Sequence, residues 1–171
     1  LLYSCKVNKD GTYASRTKSN KITLFEYSKG GIRTKAIVYN ASDIGADGKP
    51  KAGAKPISTV EYSDGVKSKN TLANGESTEY DKDGNKTKTT SANGDVSEYD
   101  AKGNKTKTTS KKGDITYFEN NEKTKTEFAN GNVTFYKGGK VSVEIEGDKA
   151  YVYTYNSDGT KTRTEYTAKG I

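Results

Sequence analysis

Histidine, tryptophan and methionine do not occur in the 171 residues, cysteine occurs once and proline twice. Without His there is no imidazole for acid/base chemistry and no thiol–imidazole dyad, and a lone Cys leaves neither a Cys/His zinc site nor an internal disulfide. Carboxylates are plentiful, but they stand beside turn residues in polar sequence with no apolar surround to raise a pKa. The chain is therefore expected not to be an enzyme and to need no metal or other cofactor. Long apolar runs are lacking too. No stretch approaches the ~20 residues of a membrane-spanning helix, and none reads as a complete signal peptide. Leu, Ile, Val and Phe come to about 15% of the residues, below the ~20% under which a strongly charged chain is expected to be disordered.

What argues against disorder is repetition. From Ile57 to Gly131 the chain reads ISTVEYSDGVKSKNTLANG, ESTEYDKDGNKTKTTSANG, DVSEYDAKGNKTKTTSKKG and DITYFENNEKTKTEFANG, a unit of about nineteen residues repeated four times. Each unit carries two turn signals, such as Asp81-Lys82-Asp83-Gly84 and Ala92-Asn93-Gly94, whose Gly and Asn supply the positive φ of tight hairpin turns. Between the turns lie four to seven residues of Thr, Tyr, Val, Ser, Lys and Glu. Such runs are too short for a stable helix and suit a strand. One unit is then one β-hairpin, and the chain is all-β, an antiparallel meander of about fourteen strands forming an extended thin or single-layer sheet.

Period-two alternation in Asn85 to Thr90 puts Thr87 and Thr89 on one face, with Lys86 and Lys88 on the other. Neither face is apolar. Such a sheet has to be held by backbone ladders, Thr and Tyr cross-strand pairs, opposite charges and Lys stems lying over Tyr rings.

Four segments follow from the pattern: N-terminal hairpins over 1–39, a loop or linker over 40–56, the hairpin array over 57–131 and C-terminal hairpins over 132–171. The linker holds both prolines, Pro50 and Pro56, with three glycines and no alternation. The flanks are richer in apolar residues. Ala36-Ile37-Val38-Tyr39 is apolar on both faces, so a small two-sided core is expected there. Near the other end, Val141, Val143 and Ile145 alternate on one face. A turn at Gly147-Asp148 would set Ile145 against Ala150, Val143 against Val152, Glu146 against Lys149 and Glu144 against Tyr151.

The net charge of +7 arises from 29 basic and 22 acidic side chains. They alternate in sign along the repeats, the pattern of a solubilising surface with protected edges. Nucleic-acid binding is not favoured, since no nucleic-acid-binding motif accompanies the interleaved Tyr and Lys. Asp81 to Asn85 has part of a calcium-loop spacing, but the equivalent turn from Asp100 places Lys102 where the second carboxylate would be, which favours a plain turn. Tyr151, Tyr153 and Tyr155, with Tyr80 and Tyr99 in the array, are the best candidates for a contact surface; a Tyr stripe is as often simple packing. Leu2-Tyr3-Ser4-Cys5 resembles an acylation site of bacterial lipoproteins, with Cys5 as the lipid-bearing residue. The same residues also read as a plain strand with Tyr3, Cys5 and Val7 on one face.

At Tyr80-Asp81-x-x-Gly84-Asn85-x-Thr87 and Tyr99-Asp100-x-x-Gly103-Asn104-x-Thr106 the chain resembles the YD repeats of RHS-type proteins. It departs from them in having Lys-Thr-Lys where apolar residues usually follow the Gly. In style it is also similar to Borrelia outer surface lipoproteins with a free-standing β-sheet. Both resemblances imply an extracellular or bacterial cell-surface location and a structural or adhesive role. The partners to expect are other copies added through edge strands, forming a filament or matrix, or a glycan, anionic polymer or partner protein held on a Tyr/Lys face.

Overall fold

A computed structural model describes residues 3–167. It contains sixteen strands, two more than the turn count suggests: β1 (Tyr3–Val7), β2 (Tyr13–Lys18), β3 (Lys21–Tyr27), β4 (Arg33–Asn40), β5 (Ser58–Ser63), β6 (Val66–Leu72), β7 (Ser77–Tyr80), β8 (Lys86–Thr90), β9 (Val96–Tyr99), β10 (Lys105–Thr109), β11 (Ile115–Glu119), β12 (Glu122–Glu127), β13 (Val133–Lys137), β14 (Lys140–Glu146), β15 (Lys149–Tyr155) and β16 (Lys161–Thr167). They form one open antiparallel sheet in chain order, each strand beside its sequence neighbour. The chain is thus an all-β meander of hairpins. It packs as two units, Leu1–Ala92 and Asn93–Ile171.

Turns are placed by glycine. Gly84 and Gly103 have φ of +84°, a region closed to most side chains but open to Gly. Their N–H groups bond back to the Asp81 and Asp100 carbonyls at 3.0 and 2.9 Å. Residues 41–57 carry a short 3₁₀ turn, Ala41–Asp43, and an isolated bridge between Ile44 and Pro50. The connection does not interrupt the sheet, because β4 pairs directly with β5 on either side of it.

Of the eight pairs of an odd-numbered strand with the next even-numbered one, seven contain a β-bulge just after the turn, and the eighth, β15–β16, contains none. The extra residue is always small: Ala14, Thr34, Ser68, Thr87, Thr106, Thr124 or Ser142. A bulge leaves one residue unpaired and adds local twist. Four of these residues reach back across the hairpin, with the hydroxyls of Ser68, Thr106, Thr124 and Ser142 donating to the carbonyls of Glu61, Glu98, Tyr117 and Phe135 at 3.2–3.3 Å.

Simple alternation therefore fails inside the repeat. Glu79 pairs with Lys88 and the next residue, Tyr80, with Lys86. Since Glu79 and Tyr80 point to opposite faces, so do Lys86 and Lys88, and the expectation that they share a face is corrected. Val141 and Val143 are likewise separated, pairing with Tyr136 and Phe135. Beyond the bulge the expected register holds: Val143 faces Val152, Glu144 faces Tyr151, Ile145 faces Ala150 and Glu146 faces Lys149.

Few side chains leave water. Among the described residues only Ala36, Tyr39, Thr126, Thr134 and Tyr151 are buried, and no large side chain is wholly so. Ala36 and Tyr39 lie on opposite faces of β4, which makes the small two-sided core expected there.

Candidate interaction surface

Each Lys-Thr-Lys triplet, split by its bulge, sends one cation to each face. The face that receives the first cation of each triplet is called the front here; the aromatic residue closing the preceding strand lies on it too. In the N-terminal unit the Arg33 guanidinium stands 4.5 Å from the Phe25 ring and 5.7 Å from that of Tyr62. The Lys67 ammonium sits 4.3 Å over Tyr80 and donates to its hydroxyl at 3.2 Å. In the C-terminal unit Lys105 lies over Phe118, Lys123 over Tyr136 and Lys140 over Tyr155, at 5.5, 4.8 and 5.0 Å. Arg33, Lys67, Lys105 and Lys123, each just before a bulge, thus cover the ring of the following hairpin, whereas in β14 Val141 holds that position and Lys140, the strand's first residue, covers Tyr155. A row of alternating rings and cations results, each contact contributing ~0.5–1 kcal/mol at an exposed site.

Beside that row runs a trough of smaller residues. It comprises Ala36, Val60, Asn70, Thr78 and Thr89 in the N-terminal unit. In the C-terminal unit Ser97, Thr108, Thr116, Thr126 and Thr134 occupy the corresponding positions, before Glu144 and Tyr151 close the row. Three of the five buried residues, Ala36, Thr126 and Thr134, are short side chains of this trough, and Tyr151 closes it. The hydroxyls pair along the trough, Ser97 with Thr108 at 3.1 Å and Thr116 with Thr126 at 3.0 Å.

The second cation of each triplet goes to the back face. In the N-terminal unit it builds a register of strictly alternating charge over six strands: Glu26, Lys35, Glu61, Lys69, Glu79 and Lys88. Glu79 sits between two ammonium groups, 3.7 Å from Lys69 and 3.1 Å from Lys88. The corresponding register in the C-terminal unit starts as Glu98 and Lys107 and turns to Tyr117, Lys125, Phe135, Val143 and Val152.

Tyr151, Tyr153 and Tyr155 share the front face of β15. Tyr151 is buried, only 7% exposed, under the Arg163 guanidinium at 3.6 Å. Tyr153 lies beneath Lys161 at 5.1 Å and donates its hydroxyl to the Glu144 carboxylate; that bond, followed by burial, holds its pKa above the ordinary tyrosine value. Tyr155 is 38% exposed and donates to the Val141 carbonyl at 2.8 Å. Tyr80 ends β7 beneath Lys67, and Tyr99 ends β9 opposite Lys105. Cys5 is exposed in β1 opposite Arg16.

The acidic groups that depart from ordinary titration are mostly turn carboxylates. Asp81 is held below the usual carboxylate range by the side-chain amide of Asn85 and by backbone N–H groups of Asn85 and Asp83. Asp100 is lowered by the N–H and amide of Asn104, Asp10 and Asp158 by the hydroxyls and N–H groups of Thr12 and Thr160. These carboxylates fasten turns. Among the described residues no group of three or more His, Cys, Asp or Glu side chains is arranged to hold a metal ion. No helix is long and apolar enough to cross a membrane.

At the N-terminal end of the front face the trough widens into a cavity of about 460 Å³, lined by residues of β1 to β5 that include Phe25, Arg33, Ala36, Val38, Val60 and Tyr62. Sequence reading missed it. Its one signal is the concentration of apolar residues in β3 and β4, and the lining depends on bulges that place Arg33 and Ala36, an odd number of residues apart, on the same face.

No protein-family model and no curated protein matches the chain. Among solved structures it is similar to the crystal structure of TcdB2-TccC3-TEV, with a TM-score of 0.27 and 10% identity over 96% of this chain. It is similar also to TcdB2-TccC3 without its hypervariable C-terminal region, with a TM-score of 0.27 and 11% identity over 95%. The chain spans 11% of the length of each.

Proposed function

We propose that this is a non-enzymatic, secreted or cell-surface β-hairpin repeat protein with a structural or adhesive role, which assembles with further copies through its edge strands. The observation that carries the reading is the open sheet: among the described residues β16 is paired on one side only, by β15, and all seven of its residues are exposed. An unpaired strand offers a row of N–H and C=O groups to another chain. Lys161, Arg163 and Glu165 alternate with threonine and tyrosine there, so indiscriminate pairing is discouraged and a matched strand is required. Sedimentation over a concentration series, with negative-stain images of the same samples, tests this. Growth into regular fibres is expected; a monomer at every concentration would refute assembly.

A second reading is favoured by the rows of rings and cations on the front faces: a monomeric module that holds a glycan, an anionic polymer or a partner protein there. Binding of an anionic polymer would weaken steeply with salt, whereas strand addition would not.

A further inference from the structure

The cavity at the N-terminal end of the front face has a chemistry that neither reading uses. Its volume, about 460 Å³, falls within the ~300–1,000 Å³ of small-molecule sites. Its floor is aliphatic, made by Ala36, Val38 and Val60, and its walls include the rings of Phe25 and Tyr62. The charged residues lining it are Arg16 and Arg33, with no carboxylate among them. The Arg33 guanidinium is held by the two rings and by hydrogen bonds to the side chains of Tyr27 and Tyr62, and its Nε alone is buried with no hydrogen-bond partner. The lining supplies no carboxylate to either guanidinium, and a planar carboxylate is the partner that a guanidinium fork fits best. Sugars are poorly matched, because apart from hydroxyls the lining side chains offer no oxygen acceptor. Inorganic anions would leave the aliphatic floor uncovered.

We propose that this cavity binds a free amphiphilic carboxylate, its apolar body on Ala36, Val38 and Val60 and its head group at Arg33.

Cys5 lines the same cavity, is exposed, and is the only cysteine of the chain, so its alkylation by a maleimide reports on one place. The probe is decanoate below its micellar concentration, with decanol as the uncharged control and calorimetry for stoichiometry. Decanoate is expected to bind one to one and to slow Cys5 alkylation severalfold, and decanol to do neither. Arg33→Met should weaken decanoate binding by about tenfold or more, as expected for loss of a charge-assisted hydrogen bond. Val60→Trp, which fills the floor and leaves the arginines in place, should abolish protection with the thermal transition retained. Equal protection by decanol and decanoate would overturn the assignment of the head group to Arg33. Absence of both calorimetric binding and protection would overturn the site.

Discussion

Glu79 is the place where the charge ladder of the back face is most open to test. It forms ion pairs with Lys69 at 3.7 Å and Lys88 at 3.1 Å, the three side chains being 32–40% exposed. At such distances each pair has a Coulomb energy of ~1 kcal/mol in a water-like dielectric, and exposed pairs contribute ~0.2–1 kcal/mol when measured by double-mutant cycles. Replacing Glu79 by Gln removes both, so a loss of about 0.4–2 kcal/mol is expected. Glu79→Lys adds repulsion between directly opposed like charges and should roughly double that loss. Both variants keep a long, flexible side chain, so the backbone ladder and packing change little. Urea unfolding followed by tyrosine fluorescence measures the difference at low salt and again at 1 M, where the screening length falls to ~3 Å and the effect should shrink markedly. The double variant Glu79→Lys with Lys88→Glu restores one pair and should recover part of the loss. If Glu79→Lys unfolds at the parent midpoint, or if its loss is the same at both salt concentrations, the ladder does not stabilise the sheet and the reasoning fails.

Other consequences are as direct. Thr124→Val deletes the hydroxyl that locks a bulge to the Tyr117 carbonyl at 3.3 Å and should lose about 0.5–1.5 kcal/mol, whereas Thr124→Ser, which keeps the hydroxyl, should retain most of the stability in the same urea titration. Gly103→Ala meets nothing within 4 Å but sits at a φ of +84°, so its loss, about 1–2 kcal/mol, comes from backbone strain alone; Gly103→Asn should recover much of it. The turn aspartates Asp10, Asp81, Asp95, Asp100 and Asp158 all have lowered pKa values. Their stabilisation is complete above the ordinary carboxylate value of 3.8 and is lost as pH falls through the lower folded values. Thermal unfolding should therefore vary little from neutral pH to about pH 5 and weaken below pH 4, less steeply in Asp81→Asn with Asp100→Asn.

The turns were the most legible part of the chain. Asn-Gly and Asp-Gly pairs can hardly be read otherwise, and with alternating Val and Tyr beside Gly147-Asp148 they specify the pairing of Val143 with Val152 to the residue. The bulges left no comparable mark. In an apolar strand a bulge shows as two hydrophobic residues out of step, but in Lys-Thr-Lys all three residues tolerate water on either face, and nothing in composition records the change of parity. Face assignments next to the turns were therefore reversed for one lysine of each triplet. The site suffered most from this. That Lys67 would lie over Tyr80 and Lys69 against Glu79 depends on those two lysines facing opposite ways, and the cavity wall at Arg33 depends on the bulge at Thr34. Tyr151 illustrates a different limit: its stripe was visible, but its cover comes from Arg163 on the next strand.

The alternation of charge from Glu26 to Lys88 repeats every two strands, which is also the length of one hairpin. Copying or losing a whole hairpin therefore leaves every glutamate between lysines, every ring beneath a cation and every bulge behind a turn. Copying a single strand would set like charges side by side over the whole register. Repeat number in such a chain is free to drift during evolution in hairpin steps, and a gene carrying five or six copies of the unit would encode a longer sheet with the same surface chemistry.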